Sequence, residues 1–146
     1  MRSSLFALGL IIVMGVGSPM VGAIGFPEEA IAQQSTSEID RAIAEGSRLF
    51  EEGSKESLRK AIGQVEKALE LARSAKAKDK QALSLFFFGR LYQVLGENSK
   101  ALGYYNQALP IYRAISDRGR EAKTLNNIGF VYSNSGEKQK ALEYYN

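Results

Sequence analysis

The side chains that most often carry enzyme chemistry are missing from this chain. There is no His and no Cys. The usual general base and a thiolate nucleophile are therefore absent, no disulfide can form, and no His/Cys cluster can hold a metal. The acidic pairs Glu28-Glu29 and Glu51-Glu52 are adjacent in sequence. Adjacent residues on a helix point in different directions, so neither pair makes an acid/base dyad and both read as solvated charge. No glycine-rich phosphate loop appears. Recognition chemistry is what remains. Phe86-Phe87-Phe88 sets three rings in a row. On one helix they cannot all face the interior, so at least one must lie in a groove or against a neighbouring element. The net charge is only +3, and no Lys/Arg run is long enough to suggest nucleic acid or anionic lipid. The expectation is a non-enzyme with no catalytic residue, cofactor or metal.

These residues sit on a repeated stretch. Ala82–Asn106 (ALSLFFFGRLYQVLGENSKALGYYN) is followed 40 residues later by Ala122–Asn146 (AKTLNNIGFVYSNSGEKQKALEYYN), and 12 of the 25 aligned positions are identical. Repetition at this period marks an array of small units rather than a single core. In the first helix of the unit, Leu85, Phe88 and Tyr92 form one apolar stripe. A glycine inside a helix costs about 1 kcal/mol relative to alanine. Gly89 and Gly129, at the same phase, therefore point to a close approach by the partner helix, with Ala101 and Ala108 as its small residues and Tyr105 beside them. Gly96-Glu97 and Gly136-Glu137 mark chain reversals. The stripe tyrosines Tyr92, Tyr105, Tyr132 and Tyr145 read as core.

Leu85-x2-Phe88-Gly89-x2-Tyr92, with Ala101-x3-Tyr105-x2-Ala108, resembles the tetratricopeptide repeat. Leu125, Ile128, Gly129, Tyr132, Ala141 and Tyr145 match it through the second copy. The resemblance implies an all-α helical-hairpin solenoid, a right-handed superhelix of about two and a half repeats here. It also implies a concave groove lined by the first helix of each unit. The groove residues so implied are Phe86, Arg90 and Gln93, then Asn126, Asn127, Phe130 and Asn134. In similar arrays an Asn two residues before the helix glycine, the place of Asn127, grips the backbone of an extended peptide. Phe87 holds that place in the preceding unit and departs from the pattern. GEKQKALEYYN, TLNNIG and YYNQALPIYRAISDRG further resemble the repeats of exported cyanobacterial-type proteins in which such units precede a caspase-like CHAT protease domain. The His and Cys of that domain are absent here.

Along the chain, residues 1–32 read as a secretory signal. It comprises Arg2, the apolar Leu5–Gly17 and the A-x-A site Ala30-Ile31-Ala32 before Gln33. The expected location is periplasmic or extracellular, with an uncleaved membrane anchor as the alternative. Gln33–Ser37 is a polar approach in which Ser35-x-x-Glu38 offers a capping box. Residues 38–73 form a degenerate first repeat. Its Gly46 and Gly53 precede Gly89 and Gly96 by 43, while Ala61 and Ala68 precede Ala101 and Ala108 by 40. Three extra residues are thus expected in the turn after Gly53. Glu45, at the place of Phe88 and Ile128, suits a terminal unit with one wet side. Asp79 is expected to cap the second repeat (80–115), and Pro110 to interrupt its second helix. The third repeat, 120–146, stops partway through its second helix, so a fragment of a longer array is expected, as is self-association through the incomplete unit. Function reads as binding a protein or peptide in the groove. The alternative is a structural spacer or self-association unit for a missing CHAT protease-like domain.

Overall fold

Residues 28–145 are described, in a computed structural model, and they form six α-helices with no strand. The helices are α1 (Glu28–Glu52), α2 (Lys55–Ser74), α3 (Lys78–Val94), α4 (Asn98–Ala114), α5 (Arg118–Asn134) and α6 (Lys138–Tyr145). Each odd-numbered helix packs on the helix after it as a hairpin, and α2 on α3 and α4 on α5 stack successive hairpins. The arrangement is the all-α repeat solenoid implied by the resemblance to the tetratricopeptide repeat. The second helices supply much of the core through helically spaced positions: Leu58, Ala61, Val65, Ala68 and Leu69 on α2, then Ala101, Tyr105, Ala108, Leu109 and Tyr112 on α4 are all buried.

Four reversals share one geometry. After α3, the Gly96 amide donates to the Gln93 carbonyl and the Glu97 amide to the Tyr92 carbonyl (3.1 and 2.8 Å), with Gly96 at φ +76°. Such crossed bonds satisfy carbonyls left over at a helix C-terminus and require a left-handed residue. Gly136 does the same after α5. Between hairpins the residues in that conformation are Lys76 (φ 54°) and Ser116 (φ 58°), for which no glycine signal exists in the sequence.

Several local expectations are corrected. Helix α1 already runs at Glu28, so Gln33–Ser37 is helical and Ser35 is no cap. Its hydroxyl instead donates to the Ile31 carbonyl one turn back (2.9 Å). Ala30-Ile31-Ala32 lies on this helix, whereas Arg2 and Leu5–Gly17 lie outside the described residues. The extra residues after Gly53 extend α2 rather than its turn. Ser54 caps that helix, its hydroxyl accepting from the Ser57 amide (3.0 Å), and α2 has 20 residues against 17 in α4. Asp79 lies within the first turn of α3 and caps nothing; Asp117 is the acidic cap, accepting from the Arg120 amide (2.9 Å) before α5. Pro110 sits inside α4, which runs on to Ala114. The proline is exposed, as is Asn106, whose carbonyl loses its helical donor to the proline and can be hydrated.

Candidate peptide-binding face

The helix glycines set how closely the first helix of a hairpin meets the second. Tyr105 lies fully buried with its ring flat over Gly89; a Cβ there would fall 2.3 Å from ring carbon Cε1. Its hydroxyl donates to the Gln93 amide oxygen (2.6 Å), and its ring meets Phe86 at 5.7 Å between centroids. Burial pushes the Tyr105 hydroxyl far above the usual tyrosine range, so it stays a donor. Gly46 faces Val65 and Gly129 faces Tyr145 in the same way. The close approach expected at these glycines therefore admits the side chain at Val65, Tyr105 or Tyr145. Tyr145 departs from the core reading, being 47% exposed. Tyr105 has Phe86 and the cluster of Ile128 and Val131 around it, and among the described residues nothing equivalent surrounds Tyr145. Leu85, Phe88, Ala101, Ala108, Ile128 and Ala141 are buried as expected; Tyr92, Leu125 and Tyr132 are half-buried.

A second aromatic layer was not read from the sequence. Tyr104 stacks on Phe88 (4.8 Å) and lies parallel to Tyr92 (5.4 Å, 2°). Lys100 stands over Tyr92 (5.0 Å) while pairing with Glu97 (2.5 Å). Tyr132, Tyr144, Lys140 and Glu137 repeat this arrangement 40 residues on. The signal lies in the shared G-E-x-x-K-A-L-x-Y-Y-N, whose lysine and first tyrosine the repeat pattern leaves without a role. Glu121 was also missed. It is nearly buried, accepts from Arg113 on α4 (2.8 Å) and Arg118 (3.2 Å), and so ties α4 to α5. The Arg113 hydrogen bond, ahead of that from Arg118, holds its carboxyl below the usual range.

The face shared by α1 and α3 carries a cation resting on aromatic rings. The Arg90 guanidinium lies 4.5 Å over the Phe50 ring and 5.9 Å from the centre of Phe87. Phe50 and Phe87, neither among the expected groove residues, are both half-buried there. Lys80 of α3 pairs with Asp40 of α1 and bridges the same two helices. Two of the expected residues are engaged internally, Phe86 against Tyr105 and Gln93 with its hydroxyl. On α5, Asn126, Phe130 and Asn134 are exposed and Asn127 half-buried. Among the described residues none of these three asparagine side chains has a hydrogen-bond partner. No group of acidic residues there could hold a metal, and no described helix is long and apolar enough to cross a membrane.

Two stretches of the sequence match family models described as "Tetratricopeptide repeat", residues 54–114 and 122–146. The chain carries tetratricopeptide repeats. The first match spans α2 to α4 and the second takes up most of α5 with α6. Among solved structures, the chain is similar to the TPR domain of Arabidopsis FLU, with a TM-score of 0.69 and 22% identity over 76% of this chain and 91% of that one. At that identity the likeness is one of fold. No curated protein matches the chain. Tetratricopeptide repeats generally serve as non-catalytic scaffolds for protein–protein interaction, through the extended surface their stacked hairpins create.

Proposed function

We propose that this array binds an extended peptide or a helix along the face presented by α1, α3 and α5. The observation that carries the reading is the set of side chains without an internal partner there: the Arg90 guanidinium between Phe50 and Phe87, and the amides of Asn126 and Asn127 beside exposed Phe130. Groups left open on one face of a rigid scaffold suit a ligand backbone and its side chains. Selection from a displayed library of random twelve-residue peptides tests the proposal. Binders should be lost with Phe130→Ala or Asn127→Ala while the melting temperature stays within a few degrees of the parent. An unselectable protein, or binders indifferent to both changes, would refute it.

The proposal includes export, with maturation before Gln33. Removing Glu28–Ala32 would strip no buried residue from α1, whose buried positions begin at Ile39. N-terminal sequencing after expression in a Gram-negative host decides this, and intact Met1 in the cytoplasm would overturn it. A self-association reading, in which the repeats are a spacer beside a CHAT-like domain, has its own observation: Phe130, Leu142 and Tyr145 are exposed apolar residues on α5 and α6. Sedimentation of the parent against Leu142→Glu tests it, and a concentration-independent monomer in both would remove it.

A further inference from the structure

Among the Lys and Arg side chains without an ion-pair partner in the described residues, Arg90 alone is half-buried; the others are exposed. Its guanidinium also makes no hydrogen bond there. A guanidinium has five N–H donors in a rigid fork. Resting over the Phe50 ring consumes none of these donors. Two aromatic rings meanwhile take water from around the charge, which strengthens any ion pair formed. A half-desolvated cation with open donors and no internal counter-ion is poised for an anion from outside.

Resting on the groove reading above, we propose that the α1/α3 face recognises an internal Asp or Glu of a bound peptide, its carboxylate held by Arg90 and a neighbouring apolar side chain laid on Phe87. The charge matches one carboxylate. Lys80, which bridges the two helices, is neutralised by Asp40, and Arg48 on α1 by Glu45 and Glu52, so the site offers a single unpaired guanidinium rather than the cluster a phosphate dianion would call for. The acid is internal to the peptide because Arg90 is on the middle of the three first helices, with Phe50 on α1 to one side and Phe130 on α5 to the other. A ligand crossing the face continues past Arg90 in both directions.

The displayed twelve-residue library is the probe, prepared in two forms, one with free C-termini and one anchored through them. Both forms should enrich Asp or Glu next to an aromatic or aliphatic residue. Arg90→Gln should weaken an acidic binder about tenfold or more, the scale of one charge-assisted hydrogen-bonded contact. Changing the peptide's acid to its amide should weaken binding equally, and combining the two changes should cost little more. That ligand-side change keeps the test valid if Arg90→Gln folds poorly. Selection on Arg90→Glu should turn the enriched residue from acidic to basic. Binders lacking Asp and Glu but dependent on Phe130 or Asn127 would overturn this inference and leave the groove reading standing. Binders that need a free C-terminus would overturn the internal assignment. A library with no binder at all would remove both.

Discussion

Gly89→Ala and Gly129→Ala make the same change at the same repeat position and should give opposite results. Alanine gains about 1 kcal/mol over glycine in helix propensity at either site. At Gly89 the new Cβ would meet Tyr105 at 2.3, 2.4 and 2.7 Å. Carbon contacts are comfortable at about 3.5–4.0 Å, so the ring must retreat by more than about 1 Å. Tyr105 is fully buried, tied through its hydroxyl to Gln93 and faced by Phe86. Retreat means repacking between α3, α4 and α5. Overpacking of this kind costs about 1–3 kcal/mol, which exceeds the propensity gain. At Gly129 the distances are 2.7, 3.0 and 3.0 Å, but the obstacle is Tyr145, which is 47% exposed and can swing toward solvent. Gly129→Ala should therefore be neutral or stabilising by up to about 1 kcal/mol. Gly46→Ala, whose one tight contact is a Val65 methyl carbon at 3.0 Å, should fall between. Urea denaturation with a shared slope reads all three. Adding Tyr105→Leu to Gly89→Ala should recover part of the loss. Equal losses at Gly89 and Gly129, or none at Gly89, would refute the contact argument.

Two further changes concern polar groups in the core. The Tyr112 hydroxyl is buried with no hydrogen-bond partner among the described residues, so Tyr112→Phe should stabilise by about 1 kcal/mol. Tyr105→Phe, which forfeits the bond to Gln93, should destabilise by a similar amount, and thermal melts of the two variants read both. Glu121→Gln should be pH-dependent. Arg113 and then Arg118 lower the folded carboxyl's pKa, so its stabilisation is present above the ordinary glutamate range and is lost as pH falls through the lowered value. The gap in melting temperature between parent and variant should be widest near neutrality and close in acid; a gap that persists in acid would contradict the ion-pair account.

The sequence makes legible what is written twice. The 40-residue period, the helix glycines and the turn glycines Gly96 and Gly136 all report backbone demands that one residue type meets best, so they survive as pattern. Lys76 and Ser116 take the left-handed conformation without glycine because the crossed hydrogen bonds hold them there, and such an override leaves no trace in composition. Helix starts were the weakest reading for a related reason. Asp79, Asp117 and Ser54 are all competent caps, and which one caps depends on where packing starts the helix. The candidate site was partly legible. Arg90 and Asn127 entered as groove candidates only through the resemblance to the tetratricopeptide repeat. Phe87 was legible only as one of three adjacent rings that cannot all face inward, and Phe50 not at all, because an aromatic at helical spacing reads as core until a guanidinium is seen lying on it.

Order within the array bears on which part of the face can bind. The described turns of α6, Lys138–Tyr145, bury only Ala141. A helix of this length has no stability of its own in water, so α6 persists through Ala141, the Tyr144 stack on Tyr132 and the Tyr145 contact with Gly129. Helix α5 is held differently. Its Ile128 and Val131 pack with Ala101, Tyr105 and Leu109 of α4, and Glu121 anchors it to Arg113. Local opening of α6 can therefore occur while α5 keeps Asn126, Asn127 and Phe130 in place. Native-state hydrogen exchange should show α6 amides exchanging fastest among the helices of the last two hairpins, with α3 and α4 slowest and α5 closer to α4 than to α6. If α5 and α6 instead exchanged together, the two would open as one unit. The binding face would then reduce to α1 and α3, and Asn127→Ala would leave selected binders unaffected.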